Sequence, residues 1–204
     1  LTVEDQNKIK MYKQQVKRET VNKKFTNIED YLASLELKMT IFEDDESIIS
    51  RMSQMTQKTS QFNLTTKRYT EGDIRNFIDD RYSNVYAVSV SDKFGDSGVT
   101  GLCIVSSNSK NESAEIDTLL MSCRIIGRNI EYAFMDHVIG KTKEKKISVM
   151  KAKYIKTRKN EQVKEFYDSN IENFQNRETR LIDVLSFAND KINTKLINQI
   201  KQDI

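Results

Sequence analysis

The sequence predicts an α/β (α+β) fold with a mixed, mostly antiparallel central sheet and helices on both faces. Its 204 residues suit one domain of ordinary size with a short appendage. Three apolar, strand-like runs follow one another through short loops between residues 85 and 123, which is typical of an antiparallel meander. A strand, a helix and another strand then span residues 113–155, which indicates a right-handed βαβ unit with parallel strands.

Residues 1–35 are predicted to be an N-terminal helical linker or appendage. The stretch 3–24 is polar and rich in strong helix formers, and its few apolar positions form one narrow stripe, Ile9, Tyr12 and Val16. Its lysine- and arginine-rich face has two interpretations, a solvated helix or contact with an anionic partner. A short helix over 26–34 completes this segment, and the domain proper runs from 36 to 204.

Within the domain, hydrophobic periodicity predicts each element in turn. Thr70, followed by Glu71 and Asp73, is a typical helix N-cap with an acidic first turn. Residues 171–186 are ambiguous, and an amphipathic helix is expected over 192–200. The remaining predicted elements are strands over 37–42, 85–90, 98–105, 113–123 and 147–155, and helices over 45–61, 70–80, 124–141 and 160–167.

Composition excludes several classes of function. The net charge of +3 is too small to make nucleic acid the expected partner. One histidine, His137, and two cysteines, Cys103 and Cys123, cannot build a four-ligand Cys/His zinc centre, so no metal is expected. The sequence has neither an apolar run of about 18 residues nor a signal-peptide pattern, so a cytoplasmic protein without a membrane partner is expected. Because the chain begins with Leu1, we expect a piece of a longer polypeptide.

The turn that opens the helix of the βαβ unit has the character of an anion site. It reads Arg124-Ile-Ile-Gly127-Arg128-Asn129. Backbone N–H groups at a helix start, aided by the helix dipole, bind phosphate oxygens, while glycine allows a close approach and arginine adds charge. These four residues, Arg124, Gly127, Arg128 and Asn129, are therefore candidate binders of a cofactor phosphate.

This turn resembles the (Gln/Arg)-x-x-Gly-x-(Gly/Ala) turn of the GNAT acyltransferase fold, with asparagine at the last position. A second motif, Asn160-Glu-Gln-Val-Lys-Glu-Phe-Tyr167, is similar to the fourth-helix signature of that fold. The resemblance implies a GNAT-like sheet and bound, non-covalent phosphopantetheine or coenzyme A. It also implies cofactor contacts at Asn160 and a general-acid role for Tyr167.

Longer strings resemble the C-terminal half of FkbH-like proteins. They are RMSQMTQKTSQFNLTTKRYT (51–70), SDKFGDSG (91–98), EIDTLLMSCRIIGRNIE (115–131) and YIKTRKN (154–160). Members of this family join a phosphatase half of the HAD superfamily to a GNAT-like half. The resemblance implies transfer of a glyceryl group from a phosphorylated glycerate donor to the phosphopantetheine thiol of an acyl carrier protein. The phosphatase half, with its Asp-x-Asp motif, is absent from these residues.

Cys123 directly precedes the anion-binding turn, where positive charge is expected to activate a thiol. The resemblance to FkbH-like proteins, which have a cysteine in this Ser-Cys-Arg motif, implies that Cys123 is a thioester-forming nucleophile. The alternative is a small buried hydrophobic residue, the interpretation favoured for Cys103. His137 lies on the apolar stripe of its helix and is expected to be a half-buried structural residue. An amide- and hydroxyl-rich run and one strand carboxylate are candidate contacts for a hydroxylated acyl group, namely Gln57, Gln61, Asn63, Thr65 and Asp117. The alternative for the run is a polar helix end and surface loop, and the alternative for Asp117 is a solvated or paired carboxylate.

Three hypotheses about function follow. The first is the FkbH-like acyltransferase, in which Cys123 or the incoming thiol attacks the acyl donor and Tyr167 donates a proton. The second is an acetyl-CoA-dependent N-acetyltransferase. The third is a catalytically silent domain that docks a carrier protein, in which Cys123 belongs to the core. The thiol chemistry of Cys123 discriminates among them.

Overall fold

The computed structural model describes residues 3–108, 113–147, 149–166 and 180–185. A seven-stranded sheet organises the described residues. Its strands are β1 (Lys38–Glu43), β2 (Phe62–Asn63), β3 (Ser83–Asp92), β4 (Gly95–Ser107), β5 (Ser113–Met121), β6 (Val149–Tyr154) and β7 (Arg180–Leu185). The helices are α1 (Val3–Asn22), α2 (Ile28–Leu35), α3 (Ile49–Lys58), α4 (Glu71–Asp79) and α5 (Ile130–Glu144).

The sheet is mixed, as the sequence predicts. Its main strand order is β1-β3-β4-β5-β6-β7, and the pairs from β1 to β5 are antiparallel. The β5–β6 pair is parallel, which confirms the βαβ unit, and β7 extends the parallel side. The predicted fold class is therefore confirmed. The two-residue strand β2 lies off this path and pairs with β5.

Two hydrophobic clusters cover the two faces of the sheet. Alternate residues of a strand point to opposite faces. In β3, Tyr86 and Val88 belong to the cluster that contains Phe134 of α5, whereas Ala87 belongs to the cluster that contains Met52 of α3. Helices therefore pack on both faces, and the layered core holds the end of β5 in a fixed position.

Helix boundaries depart from the predictions where the backbone turns sharply. Helix α5 begins at Ile130, six residues later than residue 124, because a 3-10 turn (Cys123–Ile125) and positive φ angles at Gly127 and Asn129 come first. The helix predicted over 160–167 is a 3-10 turn, Glu161–Val163. Helix α4 has its predicted N-cap at Thr70, in a capping box with Asp73. The helix expected over 192–200 lies outside the described residues.

Helix α1 contacts the domain through polar side chains. Arg18 is buried against the β3–β4 hairpin, and a Cβ on Gly95 would lie 1.9 Å from Nε2 of Gln14, so the two elements touch closely. The predicted apolar stripe instead faces solvent, and Tyr12 in it is 72% exposed. None of the helices in the described ranges is long and apolar enough to cross a membrane.

Candidate active site

Cys123 lies at the mouth of a cleft beyond the end of β5. Its side chain is exposed, and the cleft has a volume of about 350 Å³. One wall comes from α3 and the residues after it, and the other is the turn that follows β5. The lining residues are Arg51, Met55, Lys58, Thr59, Ser60, Gln61, Ser122, Cys123 and Arg124. The predicted nucleophile thus lines the same cleft as the hydroxyl groups of Thr59 and Ser60 and the amide of Gln61.

The cleft is strongly basic. Arg51, Lys58 and Arg124 line it, and none of the described residues in its lining is acidic. Arg51 donates to the carbonyl oxygen of Val99 from Nε (3.3 Å) and Nη2 (3.1 Å), which fixes its guanidinium. Burial lowers the pKa of Arg51, and the positive charge of Arg124 lowers it further. Two guanidiniums that repel each other in one cleft favour the binding of an anionic substrate between them.

The two cysteines have opposite environments. Cys103 is fully buried in β4, and burial together with the charge of Asp117 raises its pKa, so its thiol is unreactive. The interpretation of Cys103 as a core residue is confirmed. His137 is half-buried, its ring packs edge-on against Tyr86 at a centroid distance of 6.2 Å, and it does not line the cleft. The described lining of the Cys123 cleft therefore offers the thiol cationic side chains and no imidazole.

The turn predicted to bind phosphate already holds a carboxylate. The backbone N–H of Gly127 donates to Oε1 of Glu131 at 3.4 Å, and this glutamate is only 7% exposed. Its Oε2 is buried without a hydrogen-bond partner among the described residues. Burial raises the pKa of Glu131, although its own backbone N–H and that of Gly127 oppose this. Asn129 has the left-handed conformation (φ 60°) and makes no side-chain cap.

Arg128 faces away from the cleft, into an ion cluster that fastens α1 to the domain. Arg18 donates to both carboxylate oxygens of Asp92, at 2.6 and 2.8 Å, and Arg128 Nη1 lies 3.6 Å from Oδ2 of the same group. Arg128 also donates to the carbonyl oxygen of Arg124 at 2.8 Å. Burial raises the pKa of Asp92, but the hydrogen bonds and charges of the arginines lower it overall.

Asp117 forms a separate polar cluster on β5, at a position where the register with β4 shifts. Its carboxylate accepts from Lys67 Nζ at 2.5 Å, from the Tyr69 hydroxyl at 2.5 Å and from Thr118 at 3.1 Å. Burial and the bond to Asp117 raise the pKa of Tyr69. Asp117 is therefore engaged by its own chain and does not line the Cys123 cleft.

Of the residues predicted to contact the acyl group, Gln61 lines the cleft. Gln57 is exposed and donates to the carbonyl oxygen of Tyr69 at 3.3 Å. Asn63 and Thr65 are buried and do not line the cleft. Their polar atoms serve the chain itself, since Asn63 bonds to the backbone of Thr59 and Thr66, and Thr65 to the Thr118 hydroxyl.

Asn160 is fully buried. Its Nδ2 donates to the carbonyl oxygens of Asn63 (2.8 Å) and Ile155 (2.9 Å), and its Oδ1 accepts from the N–H of Thr157 (2.7 Å). All of these contacts are internal. The predicted general acid, Tyr167, lies outside the described residues.

Two cationic residues of the cleft, Arg51 and Lys58, were not predicted from the sequence as site residues. They occupy positions i and i+7 of α3, with Met55 at i+4, so all three share one face of the helix. This spacing predicts that the three side chains share one face of α3. The sequence does not show what that face contacts, because this depends on how α3 packs beside the end of β5. Among the described residues, no group of three or more His, Cys, Asp or Glu side chains is placed to hold a metal ion.

Comparison with solved structures identifies the fold. An acetyltransferase of the GNAT family from Staphylococcus aureus Mu50 matches with a TM-score of 0.50 and 14% identity, over 66% of this chain and 84% of that one. The chain has a GNAT fold. Ard1 from Thermoplasma volcanium (TM-score 0.49, 20% identity, 64% and 80% coverage) is also similar. The ribosomal-protein-S18-alanine N-acetyltransferase from Escherichia coli is similar as well, with a TM-score of 0.49 and 10% identity over 65% of this chain and 76% of that one. No family model and no curated protein sequence matches.

Proposed function

We propose that this domain is an acyltransferase in which the Cys123 thiol carries the acyl group between donor and acceptor. The observation that carries the proposal is the exposed Cys123 in a cleft whose charged lining residues, Arg51, Lys58 and Arg124, are all cationic. Cationic surroundings attract an anionic donor to the thiol, and cysteine is an intrinsically strong nucleophile. The GNAT fold, common among acetyltransferases, supports acyl transfer as the general class of reaction.

The transfer takes place in two displacement steps. The Cys123 thiolate attacks the acyl carbonyl of a donor whose carboxyl group carries a phosphate. A carbon–sulfur bond forms, and the bond from the acyl carbon to that phosphate breaks, so that the phosphate leaves with the electron pair. The thiolate of the acceptor then attacks the thioester, and Cys123 leaves again as a thiolate. The cysteine proton passes to solvent before the first step and returns afterwards. Arg51 and Arg124 line the cleft, and their positive charge stabilises the negative charge that develops on the reacting groups in both steps.

We propose a glyceryl-type acyl group from a phosphorylated glycerate donor as cargo and the phosphopantetheine thiol of an acyl carrier protein as acceptor. The resemblance to FkbH-like proteins motivates this choice, as does the presence of a phosphatase half in that family's proteins. Two features of the cleft support it. Its cations suit a phosphorylated donor, and Thr59, Ser60 and Gln61 offer hydroxyl and amide groups to a hydroxylated acyl chain. Tyr167 remains the proposed proton donor, as the group that returns a proton to the Cys123 thiolate when it leaves in the second step.

An acetyl-CoA-dependent N-acetyltransferase is the second candidate, favoured by the likeness to the Staphylococcus aureus acetyltransferase. That reaction needs bound coenzyme A and an amine acceptor, and it does not need Cys123. The residues of the predicted phosphate site fit the coenzyme poorly, since Glu131 occupies the Gly127 amide and Arg128 is paired with Asp92. We therefore favour the thiol route.

Intact-protein mass spectrometry after incubation of the chain with an activated, phosphorylated glycerate tests the proposal. We expect an adduct on Cys123 that is lost in Cys123→Ser and is released when a carrier protein with a free phosphopantetheine thiol is added. Cys103, fully buried, is the internal control and stays unmodified. A chain that stays unmodified while transferring acetyl groups from acetyl-CoA would favour the N-acetyltransferase. An inert Cys123 without any transfer would favour a docking domain.

A further inference from the structure

The sheet has an opening between its two central parallel strands. The pairing of β5 with β6 ends at Ile116 and Ala152, yet β5 continues to Met121 and β6 to Tyr154. Strand edges that part in this way leave N–H and C=O groups in need of partners. An amide-bearing chain such as the pantetheine arm of coenzyme A has the chemistry to pair with them.

A segment of the chain itself, residues 62–64, fills this opening. Strand β2 pairs antiparallel with the end of β5, in the register Phe62 with Met121 and Asn63 with Leu120. Since β4 takes the other edge of β5 along these same residues, β2 must lie on the β6 side.

The segment also reaches across to β6. The N–H of Leu64 donates to the carbonyl oxygen of Leu119 at 3.0 Å, and the carbonyl oxygen of Leu64 accepts from the N–H of Ile155 at 2.7 Å. Residues 62–64 therefore bridge the two parted strands through backbone hydrogen bonds, and those edges are satisfied without a ligand.

Packing and a buried amide hold the segment in place. Phe62, Asn63 and Leu64 are all buried, and the ring of Phe62 packs edge-on against Phe166 at a centroid distance of 5.1 Å. The Asn160 side chain donates to the carbonyl oxygens of Asn63 and Ile155, one on each side of the junction. Removing the segment would expose these apolar side chains and break the hydrogen bonds of a fully buried amide, which is costly.

The second place that coenzyme A would need is also taken. Its pyrophosphate suits the N–H groups at the start of a helix. At the start of α5, the N–H of Gly127 already bonds to the carboxylate of Glu131, which is itself buried. An incoming pyrophosphate would have to displace this carboxylate from the N–H of Gly127.

We infer that this domain keeps coenzyme A out of the opening in its sheet, because residues 62–64 fill the place of the amide arm and the Glu131 carboxylate fills that of the pyrophosphate. The inference does not depend on the proposed function. Taken together with the proposed function, it implies that an acyl carrier reaches the domain at the open cleft beside Cys123.

Hydrogen exchange of the chain with and without millimolar coenzyme A tests the inference. The reporters are the amides of Leu64 and Ile155, whose hydrogen bonds exist only while the segment is in place. We expect their protection to be unchanged or increased, whether or not the coenzyme binds elsewhere. Faster exchange of both amides upon addition of the coenzyme would overturn the inference, because it would show that the segment leaves the opening.

The variant Asn160→Ala is the positive control for an assay that must detect a loosened segment. Without the two hydrogen bonds from Nδ2, we expect exchange at Leu64 and Ile155 to be roughly tenfold faster. Asn76→Ala, at an exposed position on α4, is the matched control and should leave both amides unchanged. Should Asn160→Ala fail to fold, the comparison on the unmodified chain still decides the question. A measurement of acyl transfer is needed in neither case, so the proposed function can fail independently.

Discussion

Replacing Arg18 by methionine tests how α1 is held to the domain. Asp92 has a side chain that is only 1% exposed, and Arg18 supplies its two short hydrogen bonds. Removing one partner of a buried ion pair costs about 3–5 kcal/mol, because the other charge stays buried. Arg128 at 3.6 Å and the N–H groups of Phe94 and Gly95 still face the carboxylate, so we expect the low end, about 3 kcal/mol.

Urea unfolding followed by circular dichroism measures this loss. The matched control is Arg75→Met, which removes an ion pair with Glu46 whose side chains are 52% and 59% exposed and is expected to cost about 0–1 kcal/mol. Adding Asp92→Asn to Arg18→Met should recover part of the loss, since no charge is then left buried. A loss for Arg18→Met as small as that of the control would refute the reasoning and show that α1 is not fastened through this cluster.

Three further predictions follow from local contacts. Because Asp92 has a lowered pKa in the folded chain, its contribution to stability is present above about pH 4 and is lost as the pH falls below that value, so acid unfolding should be steeper than in Asp92→Asn. Thr70→Ala breaks the capping box with Asp73 and should cost about 1 kcal/mol in urea unfolding, whereas Thr70→Ser should cost little. Arg51→Met should slow the alkylation of Cys123 by anionic iodoacetate more than it slows the alkylation by neutral iodoacetamide. An equal effect on both reagents would contradict an anion-binding cleft.

Much of the fold could be predicted because apolar periodicity reports burial directly. The alternation along β3 places Val85 and Ala87 on one face of the sheet and Tyr86 and Val88 on the other, so both faces had to be covered. The start of α5 could not be placed in this way. Its apolar pattern continues back into the turn through Ile125, which is buried as part of the core without being helical.

The candidate site could be predicted only in part. Cys123 and Arg124 were found because they are adjacent in sequence to a recognisable turn, whereas Arg51 and Lys58 belong to a helix whose neighbour only the topology determines. Polarity was a misleading guide for Asn63 and Asn160. An amide in a sequence indicates a need for hydrogen bonds, and it does not say whether a ligand or a strand junction provides them.

The closed opening and the open cleft are built from one continuous stretch of chain. Thr59, Ser60 and Gln61 form a wall of the cleft, and Phe62 follows immediately as the first residue of the segment that seals the sheet. Any movement of the segment out of the sheet would therefore shift the wall that faces Cys123, and an acyl group bound at that wall would in turn favour the sealed arrangement. We therefore expect exchange at the Leu64 amide to slow when Cys123 is acylated, and an unchanged rate would show that the cleft and the segment are not energetically coupled.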